Sequence, residues 1–247
     1  MNLLDIVSIP LAFFASLILF FLAYQTIFTW KDYREEILLH LSFIFIFFAL
    51  AIIGSIIIYT FSETPLKILE QNLFVIGFIY DLFYLEVSLF YLSLFPNSRY
   101  FLEKYFPFII GLMAVSNLFY SLLNPLDYFY VTLGAHVVVF SLGCFLFFQA
   151  HRRFKKSIKY LQTEQEKDLM GFLEKIVLVV FLTFIADGIG FIVWQIQILN
   201  FRNLAEVDIF FMSSMCFLVV IIGYFIIKII KKKAQGIDFI ALLNTIS

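Results

Sequence analysis

Two carboxylates, Asp81 and Glu86, interrupt the stretch Ile76–Phe95, which is otherwise largely apolar and aromatic and has no lysine or arginine. A third, Asp187, interrupts a comparable stretch within Ala186–Gly190 (ADGIG). A charged side chain at the centre of a bilayer costs about 2.5–3.5 kcal/mol on insertion scales, so it faces a bundle interior or a hydrated cavity. An acid placed there takes up a proton, accepts hydrogen bonds or water, or is matched by something that binds. A proton, a metal cation and a small cationic or amine-bearing ligand all meet that requirement, and the residues alone do not choose among them. Glu86 follows Asp81 by five residues, about 140° around a helix and roughly 7.5 Å along it. The two acids therefore do not form one paired site. Lys175 is nearer to Glu86 in depth, which predicts an ion pair acting as a switch or relay, with Glu174 competing for the lysine.

The elements that must carry these acids follow from composition. Hydrophobic residues make up 63% of the 247, aromatics 20% and charged residues 14%, and mean hydropathy is +0.99. That balance excludes an ordinary soluble domain and predicts an all-α polytopic protein whose partner is the lipid bilayer. A helix needs about 20 mainly apolar residues to cross the hydrocarbon. Seven runs qualify: Ile6–Thr29, Ile37–Phe61, Leu69–Phe95, Phe106–Leu123, Phe129–Ala150, Leu169–Leu199 and Val207–Ile230. The connections hold most of the charges and the turn residues Pro65, Pro96, Asn97, Asn124 and Pro125, as helix stops do. The expected organisation is a seven-helix transmembrane domain over 1–233 and an interfacial tail over 234–247, with no room for a separate soluble domain. Met1–Asp5 has no basic residue, so the first run reads as a span and not as a cleaved leader. In the tail, Gly236 precedes Phe239, Ile240, Leu243 and Ile246, a spacing that suits a short amphipathic helix on the membrane surface.

Basic residues orient the bundle. Lys31 and Arg34, Arg99 and Lys104, Arg152, Arg153, Lys155, Lys156, Lys159 and Lys167, and Lys228, Lys231, Lys232 and Lys233 all fall on one side, whereas the other side has Lys67 and Arg202. The positive-inside rule then puts the N-terminus outside and the C-terminus in the cytoplasm of a multi-pass cell-membrane protein. His151–Asp168 is the most charged cytoplasmic connection, and it reads first as solvated helix extension and topology signal. Arg152, Arg153, Lys155 and Lys156 are its candidate contacts with a cytoplasmic signalling protein or with anionic headgroups.

At about 1.5 Å per residue, Asp81 in the descending third run and Asp187 in the ascending sixth reach similar depth, so one outward-facing pocket can hold both. Asn117, His136, Trp194, Ser213 and Ser214 belong to the same outer half, and Thr183, Asp187, Gly190 and Trp194 form one helical stripe. Each has a plainer role beside ligand binding. His136 reads first as a hydrogen-bonded core residue, Asn117 and the serines also as interhelical contacts, and Trp194 equally as a belt anchor.

Enzyme chemistry has no footing here. There is no HExxH, glycine-rich phosphate loop or GxSxG. The three histidines are scattered, and Cys144 and Cys216 lie in apolar runs without ligand spacing. No catalytic residue, metal, cofactor or nucleic-acid contact is expected. Lys228 stands at the inner end of the last run, away from where a retinal Schiff base needs it. The prolines show no matched pattern of the kind a repeat-built sugar transporter has.

The segment Phe90–Tyr130, FYLSLFPNSRYFLEKYFPFIIGLMAVSNLFYSLLNPLDYFY, resembles part of the seven-helix membrane sensor module that precedes the kinase in some prokaryotic histidine kinases. Asn124 and Pro125 match the pair that closes a helix there, while Asp127 stands where that module often has a histidine. The resemblance implies sensing of a ligand or membrane state, with the signal passed to a separate protein because the chain has no kinase. The leading expectation is thus a stand-alone seven-helix receptor or sensor. A transporter or channel for a cation, proton or small organic ion, and a non-catalytic subunit of a membrane complex, are the alternatives.

Overall fold

The computed structural model describes residues 3–33, 36–61, 77–95, 101–120, 125–199 and Tyr224. Six long helices follow one another: α1 (Leu3–Tyr33), α2 (Glu36–Phe61), α3 (Gly77–Leu94), α4 (Phe101–Tyr120), α5 (Pro125–Ser157) and α6 (Glu164–Leu199), with one 3₁₀ turn, Ile158–Tyr160, before α6. Among the described residues there is no strand. Five helices, α1 to α5, are long and apolar enough to cross a membrane, over Ile9–Lys31, Glu36–Ile57, Gly77–Leu94, Phe101–Phe119 and Gly134–Tyr160. The expected seventh run, except for Tyr224, and the whole tail over 234–247 lie outside the described residues, and Ser213 and Ser214 with them.

Hydroxyl groups inside the helices are satisfied within their own element. Ser16 donates to the Phe13 carbonyl at 2.7 Å, Ser42 to Leu39 and Ser88 to Leu85 at 2.6 Å, and Thr26 to both Leu22 and Ala23 at 2.8 and 2.9 Å. That is how a polar side chain is accommodated where water cannot solvate it. Small residues then let neighbours approach. Ala12, Ala15, Ser16, Ala23 and Thr26 are buried on α1, and Ser42, Ala49 and Ala51 on α2, the composition that close packing of apolar helices favours.

Consecutive helices pack against one another throughout, most thinly between α4 and α5. α3 is the axis, burying Asp81, Phe83, Tyr84, Val87, Ser88, Phe90, Tyr91 and Leu94. Its rings meet Phe48 of α2, Phe140 and Phe147 of α5 and Phe184 of α6. The outer surface is apolar as well: Phe13, Phe14, Phe21, Tyr24 and Phe28 of α1 are all more than half exposed. Apolar surface on that scale calls for a non-aqueous neighbour.

Candidate functional site

α3 buries Asp81 completely. Its Oδ2 accepts a 2.8 Å hydrogen bond from Asn117 Nδ2 of α4, so two of the residues singled out from sequence are brought together across a helix interface. Oδ1 has no hydrogen-bond partner among the described residues. One turn further along α3, Tyr84 packs edge-on against His136 at 6.1 Å and Phe140 at 5.4 Å, and its ring is 5.8 Å from Phe184. His136 is itself buried, so α5 also packs against this part of α3. The Tyr84–Phe184 contact also sets the register of α6. Asp187 is three residues beyond Phe184 as Asp81 is three before Tyr84, and α6 runs antiparallel to α3, so the two backbone positions lie on the same side of that contact. The side chains of Thr183, Asp187 and Trp194 lie outside the described residues, although their backbone belongs to α6.

Gly188 stands next to Asp187 against Phe140, whose ring carbon is 3.4 Å from where a Cβ would be. Part of the space left open by the ADGIG glycines is therefore taken up by a neighbouring helix.

Glu86 has a different partner from the expected lysine. His40 Nδ1 of α2 donates to Glu86 Oε2 at 2.8 Å. Lys175 is exposed, with its ammonium 6.0 Å from the Phe172 ring centroid. The reason is angular: Lys175 and Phe184 are nine residues apart, about 180° around a helix. Since Phe184 meets α3, Lys175 is directed to the opposite face. Glu174, the expected competitor for this lysine, instead approaches His151, Oε1 to Nδ1 at 3.3 Å. That contact has the distance of an ion pair without the alignment of a hydrogen bond.

A second buried constellation closes the end of the bundle that carries the basic residues. Glu103 of α4 is only 2% exposed. Arg153 of α5 reaches it with both terminal nitrogens, Nη2 to Oε1 at 2.6 Å and Nη1 to Oε2 at 3.2 Å, while Tyr91 of α3 donates to Oε1 at 3.0 Å. The guanidinium also stacks over Phe95 at 5.3 Å. Three helices thus converge on one carboxylate, across the most thinly packed pair. Arg153 is held inside this cluster, which corrects its expected role as a surface contact; Arg152, Lys155 and Lys156 are exposed. Sequence reasoning missed the cluster because Glu103 was read as part of a connection, whereas α4 begins at Phe101. The aromatic pair Tyr91 and Phe95 beside it was the available signal.

The start of α6 has a capping box. The Glu166 N–H donates to Thr163 Oγ1, and the Thr163 N–H to Glu166 Oε2, both at 3.2 Å. The pattern Thr-x-x-Glu at 163–166 announces it in the sequence. Among the described residues no group of three His, Cys, Asp or Glu stands together as a metal site.

No protein-family model, curated protein or solved structure matches the chain. Its chemistry has to be read from the geometry alone: a buried, half-satisfied acid in one layer, a His–Glu pair in the next, and a tightly closed charge cluster at the basic end.

Proposed function

We propose that the chain is a seven-helix receptor or sensor of the cell membrane, with its N-terminus outside and its C-terminus in the cytoplasm. A small cationic ligand or ion enters an outward-facing pocket around Asp81, and the change passes to a separate cytoplasmic protein. One observation carries this reading: Asp81 is fully buried, yet one of its oxygens has no partner among the described residues. An unsatisfied buried polar atom costs about 1–3 kcal/mol, and an acid at membrane depth marks a ligand, ion or proton site. Asp187, at a matching level of α6, is the second carboxylate of the proposed pocket. An occupant neutralises the acids, α3 and α6 shift across the Tyr84–Phe184 contact, and the segment after α5 moves.

The test is thermal unfolding of the purified chain in sodium, potassium or tetramethylammonium chloride at equal ionic strength. One of these cations is expected to raise the unfolding temperature of the native chain, and the Asp81→Asn, Asp187→Asn double variant to lose that rise. An unchanged rise in the double variant removes the pocket.

A transporter or channel is the second reading, favoured by the His40–Glu86 pair, which places another polar station roughly 7.5 Å deeper along α3 than Asp81. Cation flux into liposomes down a gradient, abolished by Glu86→Gln, supports it; absence of flux leaves the sensor.

A further inference from the structure

The outward face of α5 is apolar along most of its length and basic at its end. Val138, Phe145 and Phe148 are 56%, 49% and 43% exposed. Arg152, Lys155 and Lys156 continue the same face, at intervals of three and four residues that keep them on one side of the helix, and Lys159 follows in the 3₁₀ turn after α5; all four are exposed. The inward side of these turns is occupied, since Arg153 binds Glu103 and Phe154 is fully buried. The apolar run that α5 carries, Phe129–Ala150, ends just before Arg152. About 20 residues cross the hydrocarbon, so the run is used up at Ala150, and the basic stripe stands at headgroup depth.

α6 contributes at the same level. The His151–Glu174 and Phe148–Phe181 contacts set the two helices side by side. Lys175, one residue past Glu174 and exposed, therefore stands level with Arg152. Of the acids nearby, Glu164 is engaged with Lys167, Glu166 with Thr163 and Glu174 with His151, and Asp168 is exposed. Among the described residues Arg152, Lys155, Lys156 and Lys159 have no carboxylate partner, and the Arg152 guanidinium rests 5.9 Å from the Phe148 ring centroid.

We propose that this stripe, with Lys175 beside it, seats the headgroup of an anionic phospholipid in the adjoining leaflet, its acyl chains lying along Phe148 and Phe145. An acidic protein complements only the charges, whereas a phospholipid complements the charges and the apolar face continuous with them. This inference does not depend on the Asp81 pocket.

The experiment uses the full chain reconstituted in phosphatidylcholine bilayers with trace spin-labelled phosphatidylglycerol or phosphatidylcholine. The motionally restricted fraction of each label reports its association with the protein. Phosphatidylglycerol is expected to be preferred roughly fivefold or more, about the effect of one well-placed basic residue. Replacing Arg152, Lys155, Lys156 and Lys159 together by Gln should bring the ratio near unity. Lys31→Gln with Lys104→Gln, which removes exposed charges at the same end on other helices, should leave the preference in place. Should the fourfold variant fail to fold by circular dichroism, Lys155→Gln with Lys156→Gln carries the test as a partial loss. Equal association of both lipids with the native chain overturns the proposal and leaves the face to an acidic protein. A preference that survives the α5 substitutions, or that falls equally with Lys31 and Lys104, overturns it too, because the charge then acts diffusely.

Discussion

Glu103 shows how much one buried carboxylate can organise. With 2% exposure it depends on the two Arg153 hydrogen bonds and the Tyr91 hydroxyl for the solvation that water no longer supplies. Removing one partner of a buried ion pair costs about 3–5 kcal/mol, because the remaining charge is left uncompensated. Losing a hydrogen bond to a charged group costs about 1.5–3 kcal/mol. We therefore expect Arg153→Met to destabilise more than Tyr91→Phe, and Glu103→Leu combined with Arg153→Met to be milder than Arg153→Met alone. Denaturant unfolding of the purified chain in micelles measures all three. A native-like transition for Arg153→Met means that the cluster does not form. The same scale shows what residue types alone convey. Asp81 and Asn117 were legible as polar groups of similar depth, and depth is what helix arithmetic supplies. Which partner Glu86 takes depends on rotation about the helix axis and on which helices are adjacent, so His40 was not legible. Glu103 was hidden by a helix start placed five residues too late.

Two helix features translate directly into measurable behaviour. α6 packs tightly against α5 at Gly143, where a Cβ would stand 2.5 Å from Phe184 Cε1 and 2.8 Å from Cδ1. The ring cannot retreat easily, because it is buried between Tyr84 and Phe147. Gly143→Ala should therefore destabilise by about 1–3 kcal/mol, as overpacking does. Gly111→Ala and Gly171→Ala, which meet nothing within 4 Å, should be neutral or gain up to about 1 kcal/mol from helix propensity. Thermal unfolding of the three variants checks the contrast, and equal effects would mean that α5 and α6 do not touch there.

At the start of α6, Glu166 is held below its ordinary acidity range by its hydrogen bonds with Thr163, side chain first and backbone second. A folded-state value lower than the unfolded one gives stabilisation that is present above the ordinary glutamate pKa and lost as pH falls through the lowered value. Amide hydrogen exchange over residues 164–168, corrected for intrinsic rates, should thus accelerate on acidification through that window. Thr163→Ala should show faster exchange already at neutral pH and a smaller acid effect; pH-independent protection in the native chain would contradict the cap.

For the molecule as a whole, hydrophobic length was the strongest sequence signal, since a helix must satisfy its own backbone in lipid and the run length follows from bilayer thickness. The six described helices accordingly fall on the first six expected runs. Their ends did not, because charged turns such as Arg152–Lys156 continue α5 beyond the apolar stretch and are held there by packing of Arg153 and Phe154. Antiparallel contacts such as Asp81–Asn117, His40–Glu86 and His151–Glu174 bring Lys31, Lys104, Arg152, Lys155, Lys156 and Lys167 to one end of the bundle. Basic residues are retained on the cytoplasmic side during insertion, so this end should face the cytoplasm. A single cysteine at Lys156, in a chain with Cys144 and Cys216 replaced by Ala, should react with an impermeant maleimide only after the inner face is opened. A cysteine added next to Met1 should react in intact cells. Labelling of the position-156 cysteine in intact cells would invert the bundle. It would also turn Asp81 toward the cytoplasm, so that an extracellular occupant could no longer reach it by the short route.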